Sequence, residues 1–396
     1  MTETKELFEV TRWAMIASGI WRLEIPKANS MIKKLYFLYS IVTQIIFDTS
    51  IIMFNMEFIK LYGVHTDQAI ENLSRMIFVL LLIVKFSICQ TTEMKTLLRK
   101  ALEGERKIFT SNSKTIINIY STHAWYFKML ILAMAVATFM LAVYLSEIGI
   151  SEAYEFHKTH QDFNGSVEAA FPVALWYPFD RNQHFIFVLC HQTLEICLTG
   201  LYTVSVNAFT NSMMIYLRAE LKILQYCFKH FGNYRIKPDI FDGENVSLYL
   251  LKMFGRQHQR LIIWTEDLNS TFQKLIFLEY GVASLLLAAV IFQIFAGIRV
   301  IFNSIYFVLV SCQLMALAWN ANEILIQSEN LASALYNSNW YDQNQRTKVL
   351  VRIIMLRCQK PLTISIGPFG AMTTNAVLSR FKLAYSYLSV MSPGSK

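Results

Sequence analysis

The sequence predicts an all-α, polytopic membrane protein with seven transmembrane helices and a cytoplasmic N-terminus. Three observations predict it. Of 396 residues, 54% are hydrophobic and only 16% charged, against about 25% charged in ordinary soluble domains. The apolar residues gather into runs near the ~20 needed to cross a ~30 Å hydrocarbon core. Lysine and arginine then alternate between the connecting segments, as basic loops retained in the cytoplasm require. With 29 Phe, 19 Tyr and 7 Trp the chain has too much burial drive for a disordered coil.

The expected spans are Leu35 to Ile59, Leu73 to Cys89, Trp125 to Ser146, Phe185 to Phe209, Leu275 to Ala296, Val300 to Trp319, and Phe369 to about Met391. The second is short and carries Lys85; the seventh is the most polar. The first run starts only after Lys34, too late and too long for a cleaved signal peptide, so it directs insertion itself.

Basic residues crowd the N-terminal stretch (Arg12, Lys33, Lys34), the segment from Gln90 to Ala124 (Lys95, Arg99, Lys100, Arg106, Lys107), that from Asn211 to Lys274, and that from Ala321 to Pro368. The intervening loops carry few: Lys158 and Arg181 between spans three and four, Arg299 before span six. This places the N-terminus inside and the C-terminus outside, the reverse of a G-protein-coupled receptor. The net charge of +8 therefore reads as cytoplasmic membrane flanks beside lipid headgroups, and no nucleic-acid partner is expected.

Enzyme chemistry has no foothold. The six cysteines form no C-x-x-C pair, and there is no P-loop, G-x-G-x-x-G, H-E-x-x-H or G-x-S-x-G. No catalytic residue, metal or cofactor is expected. A secondary transporter would carry an internal repeat with matching polar breaks, and none is visible. Of the sequons, Asn164-Gly-Ser falls in an outside loop and is the candidate glycosylation site.

Inside the spans, His191 and Glu195 stand i, i+4 on one face of span four; the pair reads either as a structural hydrogen bond or as part of a cavity wall. Span three sets Ala137, Met140 and Tyr144 on one face, and span six sets Phe302 and Tyr306 a turn apart. Such residues suit an apolar pocket with a few hydroxyls, although periodicity alone fits plain helix packing equally.

The C-terminal region is the most unusual. An amphipathic basic stretch (Arg346 to Arg357) runs into Lys360-Pro361 and then Gly367-Pro368, which should stop one helix and start another. The last span is therefore split into a cytoplasmic half and a membrane half, dividing the chain into 1–342, six helices with the pocket, and 343–396, anchor and final helix. Thr373, Thr374, Asn375, Ser379, Ser386 and Ser389 fleck the membrane half, a composition suited to lining water.

The run Gly367-Pro368-Phe369-Gly370-Ala371-Met372-Thr373-Thr374-Asn375, continuing through Phe381-Lys382-Leu383-Ala384-Tyr385-Ser386-Tyr387, resembles the C-terminal signature of insect odorant receptors. Leu175-Trp176-Tyr177-Pro178-Phe179-Asp180 is similar to that family's second outside loop. The chain lacks the long insertion of the family's co-receptor between spans four and five. It also lacks the terminal Gln-Phe of gustatory relatives. The resemblance implies a ligand-specific subunit of an odorant-gated, non-selective cation channel, assembled with co-receptor subunits as a heterotetramer in the plasma membrane of olfactory sensory neurons. It implies a volatile organic ligand held in the outer halves of spans two to six, with Phe78, Ala137, Met140, Tyr144, Phe187, His191, Phe302 and Tyr306 as candidate pocket residues. It places the pore and gate at Ser386, Tyr387, Ser389, Val390 and Met391, with Val390 at the hydrophobic constriction. The alternatives are a seven-helix G-protein-coupled receptor and a membrane transporter for a small apolar molecule.

Overall fold

The computed structural model describes residues 6–21, 29–64, 66–111, 113–159, 171–181, 183–233 and 243–391. Among these the secondary structure is almost wholly helical: α1 (Phe8–Ala17), α2 (Ser30–Leu61), α3 (Thr66–Cys89), α4 (Thr92–Thr110), α5 (Lys114–Thr159), α6 (Phe185–His230), α7 (Gly243–Phe295), α8 (Val300–Tyr336), α9 (Gln345–Cys358) and α10 (Thr374–Met391). Six of them, α2, α3, α5, α6, α7 and α8, are long and apolar enough to cross a membrane, and they contain the first six expected spans, the fifth but for its last residue, Ala296. The chain is a multi-pass membrane protein.

Helix length is where the structure departs furthest from the spans. Four helices run far past the bilayer: α5 and α6 have 46 residues each, α7 53 and α8 37. About 20 residues cross the hydrocarbon, so the remainder continues outside it without a break.

The amphipathicity of α2 is inverted. Its buried positions are Ser40, Thr43, Phe47, Ser50, Phe54, Glu57 and Leu61, while Leu35, Leu38, Val42, Ile45, Ile52 and Ile59 are exposed. Lipid is as apolar as leucine, so small and polar side chains turn inward, where they pack closely and hydrogen-bond. Ser40 Oγ donates to Gly19 O at 2.6 Å, Ser205 Oγ to Ala14 O at 2.8 Å, and Asn320 Nδ2 to Asn211 Oδ1 at 2.8 Å. Helix α6 is the axis of the bundle: it packs against α1, α2, α3, α5, α7 and α8, and nearly every side chain from Tyr202 to Phe228 is buried.

Two elements outside the spans close the other end. α1 buries Phe8, Thr11 and Met15 against α6, although its segment reads in sequence as a charged flank. α4 buries Met94, Leu97, Leu98, Ala101, Glu105 and Ile108 at helical spacing, and its N-cap Thr91 accepts from Met94 N–H. Glu105 ties the two together: its Oε1 accepts from Leu7 N–H at 2.6 Å and from Tyr120 OH at 2.8 Å. Burial pushes the Glu105 carboxyl above its ordinary value of 4.5, against the opposing hydrogen bonds from Tyr120 and Leu7.

The C-terminal region breaks between α9 and α10. α9 is capped by Asn344, whose Oδ1 accepts from Thr347 N–H at 2.8 Å, and it packs on α7 and α8. Past Pro361 the chain makes a tight reversal, with Met372 N–H on Ile364 O at 2.7 Å and Ile366 N–H on Gly370 O at 2.8 Å. Gly370 takes φ +90, a conformation suited to glycine, so α10 begins at Thr374, five residues later than the expected span. α10 packs on α7 and α8, and Arg380 lies over the Tyr280 and Phe369 rings at 5.7 and 5.4 Å.

Candidate functional site

At the end of the bundle opposite α1 and α4, six helices leave a cavity of about 130 Å³ between them. Its volume is close to the ~150 Å³ that suffices for a single aromatic ring in an apolar core. Phe54 of α2, Phe78 and Val79 of α3, Leu141 and Leu145 of α5, Ile196 of α6, and Phe302, Tyr306 and Leu309 of α8 supply most of the wall. Tyr306 organises the aromatic side, edge to Phe78 at 5.9 Å and stacked on Phe302 at 6.0 Å.

The segment 171–181, between α5 and α6, covers this end. Phe171, Val173, Leu175 and Tyr177 are buried at alternate positions, and Val173 reaches the cavity. Among the described residues this strand-like strap has no neighbouring strand to pair with, so side chains satisfy much of its backbone. Asn72 Nδ2 donates to Ala174 O at 2.7 Å, and Arg75 Nη1 and Arg299 Nη1 both donate to Pro172 O at 3.0 Å. Val173 N–H donates to Gln192 Oε1 at 3.0 Å, and Trp176 N–H to Met53 O at 3.2 Å. Glu71 pairs with Arg75, Glu152 holds Arg299 at 2.9 Å, and Arg181 bridges Glu57 and Leu175 O, each at 3.2 Å. Arg299 has φ +39 at the turn into α8, a left-handed conformation that is costly for a residue other than glycine. Gly149 of α5 meets Pro172 directly, and a Cβ there would collide with it.

Several polar groups of the wall are already engaged. Gln293 Nε2 donates to Ser74 Oγ at 3.2 Å, Asn303 Nδ2 to Ile298 O at 2.7 Å, and Thr203 Oγ1 to Thr199 O at 2.7 Å. Two buried atoms of lining residues have no protein partner: Oε2 of Glu195 and Oγ1 of Thr138.

Of the pocket candidates from sequence, Phe78, Phe302 and Tyr306 line the cavity. Ala137 and Met140 lie exposed on the outer face of α5, Tyr144 is half-buried beside the core, and the residues that turn inward are Thr138, Leu141, Ala142 and Leu145. His191 is not paired with Glu195: its Nδ1 meets Tyr177 OH at 2.9 Å. Phe187 is 58% exposed and stacks on His191 in an aromatic cluster with Tyr177 and Phe179. The sequence reading missed Arg75, Thr138 and Gln293; an arginine just inside the second span, and a lone threonine among apolar residues in the third, were the signals available. Of the pore candidates, Ser386 is exposed on α10 with its Oγ on Lys382 O at 3.0 Å. Tyr387, Ser389, Val390 and Met391 lie on the α10 backbone, their side chains outside those described, and Asn164 falls outside the described residues. The asparagines of two further N-x-S/T triplets, Asn72-Leu-Ser and Asn269-Ser-Thr, make hydrogen bonds within the fold: Asn72 holds the strap, and Asn269 donates to Thr363 O and accepts from Ser365 N–H.

The model of the 7tm odorant receptor family matches residues 65–385. The chain belongs to the odorant receptor family. Odorant receptor 10 of Aedes albopictus is 28% identical to the receptor over 153 residues, 38% of this chain and 40% of that one. Odorant receptor Or2 of Anopheles gambiae is 28% identical over 144 residues, 36% and 38% of the two chains. The matched stretches thus span about two fifths of the length of these curated relatives. In structure, the olfactory receptor OR5 of Machilis hrabei superposes with a TM-score of 0.80 at 15% identity, covering 98% of this receptor and 99% of that chain. Its complex with eugenol gives 0.79 at 16%, covering 97% of each. The fold is therefore that of an insect olfactory receptor.

Proposed function

We propose that this receptor is the ligand-specific subunit of an odorant-gated cation channel. In this reading the cavity beneath the strap takes a small volatile molecule, and binding favours an arrangement of α10 in which the pore is open. A ligand shifts that equilibrium only by its difference in affinity between the two states. The observation that carries the reading is the cavity itself: small, mostly apolar, walled by helices, covered by a strap tied to four of them, and set in a chain of this family. That the Machilis receptor, which shares this fold, was solved in complex with eugenol supports it.

The finer assignments follow the family resemblance. Residues 1–342 form the ligand-binding part and 343–396 the anchor and pore part, with Ser386, Tyr387, Ser389, Val390 and Met391 at the pore and Val390 as the gate. A narrow hydrophobic ring closes a pore by dewetting, which suits a valine there. Co-receptor subunits complete a heterotetramer in the plasma membrane of olfactory neurons, with the N-terminus inside and the strap outside, and Asn164 as the glycosylation site. Whole-cell recording tests this. Volatile-evoked cation current is expected in cells expressing the receptor with an insect co-receptor and not with the receptor alone. Current from the receptor alone would overturn the heteromeric assignment.

A further inference from the structure

The two unpartnered atoms in the cavity wall set a chemical requirement that the apolar lining does not. Glu195 is 3% exposed and Thr138 8%, and the helices that carry them, α6 and α5, face each other where Gly200 meets the Thr138 methyl at 3.4 Å from its Cβ position. The Glu195 carboxylate interacts with the Ser50 hydroxyl of α2, yet its Oε2 receives no hydrogen bond. Arg75, whose charge acts on Glu195, is committed to Glu71 and to Pro172 O. A buried polar atom left unpaired is costly, and the cost is recovered by whatever supplies the missing partner.

We infer that the cavity selects a compact ring compound bearing one hydroxyl, a small cyclic alcohol or a phenol, whose O–H donates to Glu195 Oε2 and whose oxygen accepts from Thr138 Oγ1. A hydroxyl answers both atoms because it is donor and acceptor at once, whereas a ketone, aldehyde or ester offers only an acceptor and leaves the carboxylate unpaired. The ring occupies the space beside Phe78, Phe302 and Tyr306, whose faces and edges suit an apolar ring. The volume of about 130 Å³ restricts the body to roughly one ring. This inference rests on the proposed ligand role of the cavity and names the chemistry that role requires.

The test uses size-matched pairs that differ in the donor: benzyl alcohol with benzaldehyde, and cyclohexanol with cyclohexanone. Binding is read as ligand-induced thermal stabilisation of the purified full-length receptor, and gating separately as evoked current with a co-receptor. The alcohols are expected to bind at least about tenfold more tightly than their carbonyl partners in the wild type. Glu195→Leu should erase the preference, and Glu195→Gln, whose amide can donate to a carbonyl as well as accept from a hydroxyl, should reduce it. Equal binding of the two members of each pair, binding of neither, or a preference that survives Glu195→Leu would overturn the inference. Because the wild-type comparison needs no variant, a folding defect in Glu195→Leu leaves it decisive. Alcohol-selective binding without current would sustain the inference and count against the channel reading alone.

Discussion

Lys85 Nζ of α3 lies 2.5 Å from Glu279 Oε1 of α7, with both side chains about one-tenth exposed. The lysine that interrupts the second span in sequence is therefore half of an ion pair buried between two membrane helices. Removing one partner strands the other in a low-dielectric setting, a loss of about 3–5 kcal/mol. Lys85→Ala and Glu279→Ala should each lower surface expression and thermal stability sharply. The double variant Lys85→Met, Glu279→Leu should recover most of the loss, read by melting of purified protein in detergent.

Glu105 gives a pH-dependent prediction. Its carboxyl is raised by burial, so the folded state favours the protonated form. The stabilisation is fully present below the unfolded value near 4.5 and is lost as pH rises through the folded value. Glu105→Gln keeps an acceptor for Leu7 N–H and Tyr120 OH without a charge, and should match or exceed the wild type in melting temperature at pH 8. Glu105→Ala leaves both donors unpaired and should lose about 2–4 kcal/mol at pH 5, and less as pH rises and the wild type itself is destabilised. Melting curves of the three proteins from pH 5 to 8 check the ordering.

The strap's seat is testable at Gly149. A methyl there meets Pro172, and forcing atoms into a packed site costs about 1–3 kcal/mol. Gly149→Ala should shift the concentration for half-maximal response by about tenfold while surface levels hold, because the strap and not the bundle absorbs the strain. Arg299→Ala, which removes one of the two guanidiniums on Pro172 O, should shift it in the same direction.

How much of this was legible in the sequence follows from the solvent. Six helices declared themselves by length and apolarity, and Pro361 with Gly367-Pro368 declared the break before α10, because lipid thickness and the proline ring act locally. The inward faces did not declare themselves. In water an apolar stripe marks the core, but in lipid the outer face of α5 is just as apolar, so Ala137 and Met140 were indistinguishable from Leu141 and Ala142. The inward side was marked instead by the lone Thr138, as Ser40, Thr43 and Ser50 mark it on α2. α1 was hidden for a different reason: its stability comes from α6 and from Glu105, nearly a hundred residues away, and no local pattern records that.

At the pore, Val390→Ser should raise the current in the absence of ligand, since a polar ring holds water where a hydrophobic one expels it. Basal current normalised to surface receptor, with the co-receptor unchanged, reads the effect. A closed state no leakier than the wild type would move the gate from Val390 to its neighbours.

The most direct test of the account as a whole is to fill the cavity. Ala142 lines it from α5, and Ala142→Trp places an indole where the ligand is proposed to sit. The measurement is the volatile-evoked cation current of Ala142→Trp beside the wild type, each with a co-receptor and with surface receptor counted. The account predicts receptor at the surface and evoked current abolished. A filled receptor that still answers the same volatile at the same concentration would contradict it.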